Sequence, residues 1–89
     1  MESQEFFRLL DEIVDRLAPK ASPQTERFVR EEVDAGEPGV AVAELTAALA
    51  NQSVPVTPAD RDNLRLLLAE LGESTEDVER LNVVETPES

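Results

Sequence analysis

Apolar residues recur at helical spacing in several separate stretches of the chain. Phe6, Leu10, Ile13 and Leu17 form the first stripe, with Phe7 and Val14 widening it. The spacing predicts a helix from about Ser3 to Ala18. Ser3 can cap its first turn, and Glu5 suits the positive end of the helix dipole. Glu12 and Arg16 stand one turn apart in the favourable order for an ion pair. Pro19 stops the helix, because its ring disfavours a helical backbone at Ala18. A second helix is predicted to start at Ser22-Pro23, a hydroxyl cap followed by a first-position proline. Thr25, Phe28, Val29 and Val33 would face inward, and Gly36 would supply the left-handed closing residue.

A third helix follows, with Glu37 and Pro38 as cap and first position. Residues Gly39 to Gln52 carry a single charge, Glu44, and alanine and valine cover most of the circumference. A helix apolar nearly all round belongs at the centre of a bundle. Ser53-Val54-Pro55-Val56-Thr57 reads as an extended connector. A fourth helix starts at Thr57-Pro58, where Asp60 three residues after the cap completes a capping-box pattern. Its buried face is Leu64, Leu67, Leu68 and Leu71, and Gly72 is its stop. Ser74 or Thr75 can cap a short fifth helix carrying Val78 and Leu81. Val54 to Val56 and Val83-Val84 are strand-like but too short to build a sheet alone.

These elements predict an all-α protein: a compact bundle of four helices plus a short fifth C-terminal helix. Residues 1–82 would be one helical domain and 83–89 a flexible tail. Short connections favour antiparallel or steeply crossed neighbours. There is no internal repeat and no low-complexity tract.

Composition narrows the chemistry sharply. The 89 residues contain no Cys, His, Trp or Tyr. Disulfides, thiolate nucleophiles, His-based triads and His-ligated metals are therefore excluded. No apolar run reaches the ~20 residues of a membrane span, and Met1-Glu2-Ser3-Gln4-Glu5 lacks the basic and apolar regions of a signal peptide. The expected location is cytoplasmic. Twenty acidic against eight basic residues give a net charge of −12. Such a chain repels nucleic acid and anionic membranes and favours basic partners, although acidity also serves solubility alone.

Carboxylate chemistry survives that filter, but no motif organises it. Asp60 and Asp62 have the spacing that opens an EF-hand loop, yet Leu64 stands at the next ligand position and no glycine follows. Gly36, Gly39 and Gly72 lack the Lys-Ser/Thr flank of a phosphate loop. No serine lies in the Asp-Ser-Leu setting of an acyl carrier protein. Pairs such as Glu31-Glu32 or Asp11 and Asp15 are ordinary solvated helix surface, and nothing pushes two pKa values apart as acid–base catalysis requires. The sequence therefore predicts no enzyme, no catalytic residue, no cofactor and no metal.

The acidic residues are unevenly spread. Residues 70–89 hold seven acids against one base, half of the excess charge. One cluster is Glu31, Asp34 and Glu37 at the second turn. The other is Glu70, Glu73, Glu76 and Asp77 around Gly72. Glu37, Glu76 and Asp77 near helix starts would stabilise them by about 0.3–1 kcal/mol each. Asp34 and Glu70 lie at the unfavourable end of their own helix dipoles, a placement that points to another use. These seven residues are the candidate partner-binding residues.

Asp34-Ala35-Gly36-Glu37-Pro38-Gly39-Val40-Ala41, then Glu44-Leu45 and Ala48-Leu49, then Val54-Pro55-Val56-Thr57-Pro58 leading to Leu68-Ala69-Glu70-Leu71-Gly72, together resemble the MafI-type immunity proteins of bacterial polymorphic toxin systems. The likeness spans roughly Leu9 to Leu81. It implies a small helical cytosolic inhibitor that binds a cognate toxin domain, often a nuclease. Gly36-Glu37 and Thr57-Pro58 match the family's turn and its lead-in to the later helix. Toxin contacts vary within such families, so the likeness names no contact residue.

Two functions follow as expectations. In the first, the anionic surface steers the chain onto a basic toxin domain and occludes its substrate site. In the second, the chain is an acidic helical adapter or regulatory subunit, unrelated to toxins, that docks through an apolar groove beside the third helix. Nucleic-acid mimicry would need a phosphate-like spacing of carboxylates.

Overall fold

The computed structural model describes residues 2–85. Four α-helices pack around one core: α1 (Ser3–Leu17), α2 (Pro23–Asp34), α3 (Pro38–Asn51) and α4 (Pro58–Glu70). A 3-10 turn, Ala18–Lys20, joins α1 to α2, and a second, Glu76–Arg80, follows α4. That second turn replaces the expected fifth α-helix. Two short strands, β1 (Pro55–Val56) and β2 (Asn82–Val83), pair in parallel, so the strand-like pieces find each other. The Val84 N–H donates to the Val56 carbonyl at 2.8 Å. The first residues of the expected tail are thus held by β1, while 86–89 lie outside the described residues.

Local chemistry explains most boundaries. Ser22 caps α2, its Oγ accepting from the Thr25 N–H at 3.2 Å. Thr57 and Asp60 form a reciprocal capping box at α4: the Asp60 N–H donates to Thr57 Oγ1 at 2.9 Å and the Thr57 N–H to Asp60 Oδ2 at 3.1 Å. Helix α1 departs from expectation. Its cap is Glu2, Ser3 is its first helical residue, and neither gives a side-chain capping bond. Glu37 occupies the cap position of α3, also without a side-chain bond.

Three helices end in the same way. The N–H two residues past the cap returns to a carbonyl five residues back: Glu37 to Glu32 at 2.8 Å, Val54 to Leu49 at 3.0 Å and Glu73 to Leu68 at 2.8 Å. This is the Schellman closure, which needs a left-handed residue just before that donor. Gly36 (φ 79°) and Gly72 (φ 72°) supply it for α2 and α4, and Ser53 (φ 52°) supplies it for α3. Ser53 is therefore a helix-closing residue, not part of the extended connector.

Helix α3 is the central element, with Ala41, Val42, Leu45, Thr46, Ala48 and Leu49 all buried. Leu10, Ile13 and Leu17 of α1, Val29 of α2 and Leu64, Leu67 and Leu68 of α4 close around it. Val56 of β1 and Val78 and Leu81 of the C-terminal segment seal the core. Two predicted core residues are outside: Phe28 is 38% exposed and Phe7 is 55% exposed. Arg16 does not pair with Glu12. It reaches Asp60 of α4 at 2.7 Å. No helix among the described residues is long and apolar enough to cross a membrane.

Candidate partner-binding surface

Helix order decides which ends meet. Arg16 near the end of α1 pairs with Asp60 near the start of α4, while Phe6 and Phe7 share a hollow with Glu70 and Leu71. Helices α1 and α4 are therefore antiparallel. Asp15 of α1 binds Arg30 of α2, and Asp11 lines a groove with Asp34, so α1 and α2 are antiparallel as well. The same end of the molecule gathers the start of α1, the α2–α3 turn and the exit of α4.

Gly39 shows how closely the last two meet. A methyl group at residue 39 would fall 2.6 Å from Oε2 of Glu73. The carboxylate of Glu73 thus rests against the first turn of α3, two residues past Glu37. Gly36-Glu37 and Gly72-Glu73 are equivalent helix exits, each placing a glutamate just beyond the left-handed glycine. Both exits deliver that glutamate to the positive end of α3, which favours negative charge. Two clusters far apart in sequence thereby share one end of the fold.

Ion pairing sharpens the contrast. Arg30 engages Asp15 and Glu26, Arg61 and Arg65 engage Asp62, Arg65 also engages Glu79, and Arg80 engages Asp77. The hydrogen bond that Arg30 donates to Asp15 raises the Arg30 pKa above its ordinary value; partial burial opposes this and Glu26 adds to it. Among the described residues, Glu31, Asp34, Glu37, Glu70, Glu73 and Glu76 are exposed and have no ion-pair partner. Asp77 differs from the other six predicted residues. It is half-buried and bonded to Arg80 at 2.6 Å. Arg80 in turn reaches Asn51 at the far end of α3, so the segment from Glu73 to Arg80 runs along the length of that helix. The structure brings Glu73 beside the α2–α3 turn and Glu70 beside α1, and it carries Asp77 away from both.

Two hollows flank this end. One, of about 230 Å³, lies between α1 and α2 and is lined by Asp11, Val14, Asp15, Arg30, Val33 and Asp34. The other, of about 260 Å³, is lined by Ser3, Phe6, Phe7, Glu70 and Leu71. The Phe6 and Phe7 rings meet edge to face, with centroids 5.2 Å apart. Sequence reasoning placed Phe7 in the core stripe. Val14, two turns later on the same face of α1, is buried, so helical periodicity carried no signal that Phe7 would stay exposed. No cluster of three or more carboxylates with metal-binding geometry occurs among the described residues.

The chain matches no family model, and no curated protein or solved structure gives a significant match.

Proposed function

We propose that the chain is an immunity-type inhibitor that binds a basic toxin domain and blocks its substrate site. The supporting observation is the convergence of unpaired carboxylates from the α2–α3 turn and the α4 exit on one end of the bundle. Charge complementarity of this kind mainly speeds association and rejects wrong partners. The MafI-like turn and lead-in segments supply the toxin context, a nuclease domain in the producing cell's cytoplasm. Inhibition by coverage needs no reactive side chain. A standard interface of ~800 Å² per partner would take about 15% of the 5296 Å² surface.

The test is co-expression of this chain with the variable C-terminal domain of a large secreted protein encoded beside it. Rescue of growth is expected, together with a complex whose association rate falls steeply as salt rises. Undiminished toxicity would end the proposal. The second reading is an adapter unrelated to toxins that docks through apolar surface beside α3, where Val40 is 41% exposed. Tight binding to a non-toxin protein, nearly independent of salt, would select it.

A further inference from the structure

The hollow at the start of α1 is lined by apolar residues together with Ser3 and one carboxylate, Glu70. Phe6, Phe7 and Leu71 line it, and Phe7 stays 55% exposed. Leu66, one turn before Glu70 on the same side of α4, is 39% exposed and extends the apolar surface. Glu70 lines the hollow, and Glu2, Glu5 and Glu73 stand within two residues of its lining along the chain; all four are exposed and none is ion-paired among the described residues. Arg8 is the one basic residue within two positions of the lining residues, and Arg65, beside Leu66, is paired with Asp62 and Glu79. The hollow, of about 260 Å³, opens to solvent and offers an aliphatic side chain a seat against the exposed Phe7 ring.

We infer that this hollow anchors a basic amphipathic helix of the partner, taking an aliphatic side chain against Phe7 while flanking Lys or Arg residues meet Glu70 and its neighbours. The inference rests on the inhibitor reading and names its anchor. Apolar anchors in desolvated hollows dominate interface energetics, and a ring of charge around them sets partner choice. An amphipathic helix laid in a groove offers that combination at one-turn spacing. A second copy of the chain is a poor occupant, because it would bring the same carboxylates face to face on a molecule of net charge −12.

The probe is a synthetic Lys/Leu amphipathic peptide carrying one Trp. The protein contains no Trp or Tyr, so the peptide alone reports its environment. A blue shift and saturable binding are expected at low salt. Phe7→Ala should weaken that binding about tenfold with an unchanged melting temperature, since Phe7 is largely exposed. Glu70→Gln should weaken it and flatten its salt dependence. A lysine peptide without leucine should bind wild type and Phe7→Ala equally weakly. Equal affinity of wild type and Phe7→Ala for the Lys/Leu peptide would overturn the inference. So would sedimentation as a dimer that Phe7→Ala dissolves, which would assign the hollow to a second copy. Toxin rescue that survives Phe7→Ala would remove the anchor and leave the inhibitor reading standing. Peptide binding without rescue by any neighbouring gene would do the reverse.

Discussion

The guanidinium of Arg16 lies 2.7 Å from Oδ1 of Asp60, tying the end of α1 to the first turn of α4. The approach is close but outside hydrogen-bonding alignment, so Oδ1 is held by charge while Oδ2 accepts from the Thr57 N–H. Asp60 is buried and Arg16 is half exposed, so one carboxylate serves both a helix cap and a helix–helix contact.

Asp60→Ala removes both roles and is expected to destabilise the fold by about 1–2 kcal/mol, most of it from the Thr57 N–H left without its acceptor, while Thr57 Oγ1 still caps the N–H of residue 60. Asp60→Asn keeps an acceptor for Thr57 and should cost about half as much. Because solvent screens the Arg16 side of the pair, a double-mutant cycle with Arg16→Ala should give a coupling below about 1 kcal/mol. Urea unfolding midpoints measure all three, and an Asp60→Ala protein as stable as wild type would contradict the assignment.

Ser53 holds a left-handed backbone that glycine adopts without steric cost, with φ at 52°. Ser53→Gly should therefore stabilise the protein by roughly 0.5–1 kcal/mol, since the relief of strain exceeds the added unfolded-state entropy. Gly36→Ala and Gly72→Ala should each destabilise it by about 1 kcal/mol or more, for the same reason in reverse. Thermal melts of the three variants should fall on opposite sides of wild type.

Gly39 has an ordinary helical setting and is hemmed in by the Glu73 side chain, with Oε2 2.6 Å and Cδ 3.3 Å from where a Cβ would lie. Alanine in a helix is worth up to about 1 kcal/mol over glycine. Gly39→Ala alone should gain little, because the Glu73 carboxylate must swing away. In a Glu73→Ala background the gain should appear in full, a non-additivity of about 0.5 kcal/mol. Additive chemical-denaturation energies would show that the two residues do not touch in solution.

Neutralising the unpaired acids separates function from stability. Replacing Glu31, Asp34, Glu37, Glu70 and Glu73 by their amides should change stability by no more than about 1 kcal/mol per site, because none has an ion-pair partner to lose and only the helix-dipole contributions, favourable at Glu37 and Glu73 and unfavourable at Asp34 and Glu70, are removed. The association rate with a basic partner should fall about tenfold at low ionic strength and lose most of its salt dependence. Amidating Asp77 instead should loosen its contact with Arg80 and leave the association rate unchanged. Stopped-flow binding at two salt concentrations distinguishes these outcomes.

The helices, their glycine stops and two of the caps were legible in the sequence, because each depends on chemistry within a few residues. Ser22-Pro23 and Thr57 with Asp60 show this directly. The expected fifth helix was not realised. Glu76–Arg80 is one short 3-10 segment whose Val78 inserts beside α3, and it leads at once into β2. The acidic clusters were visible as residues, but their meeting was not. Nothing local says that Glu73 will lie against Gly39.

What the chain alone determined is therefore its set of helices and its surplus of negative charge, since backbone capping, apolar period and side-chain ionisation are properties of neighbours along the sequence. The tertiary structure decided the rest. It chose Asp60 rather than Glu12 for Arg16, paired Pro55–Val56 with Asn82–Val83, left Phe7 in solvent and brought two glutamates to one end of α3. Those choices depend on burying Leu10, Val42, Leu45 and Leu64 together, a contact between residues far apart in sequence that sets which of the remaining faces meet and which stay uncovered.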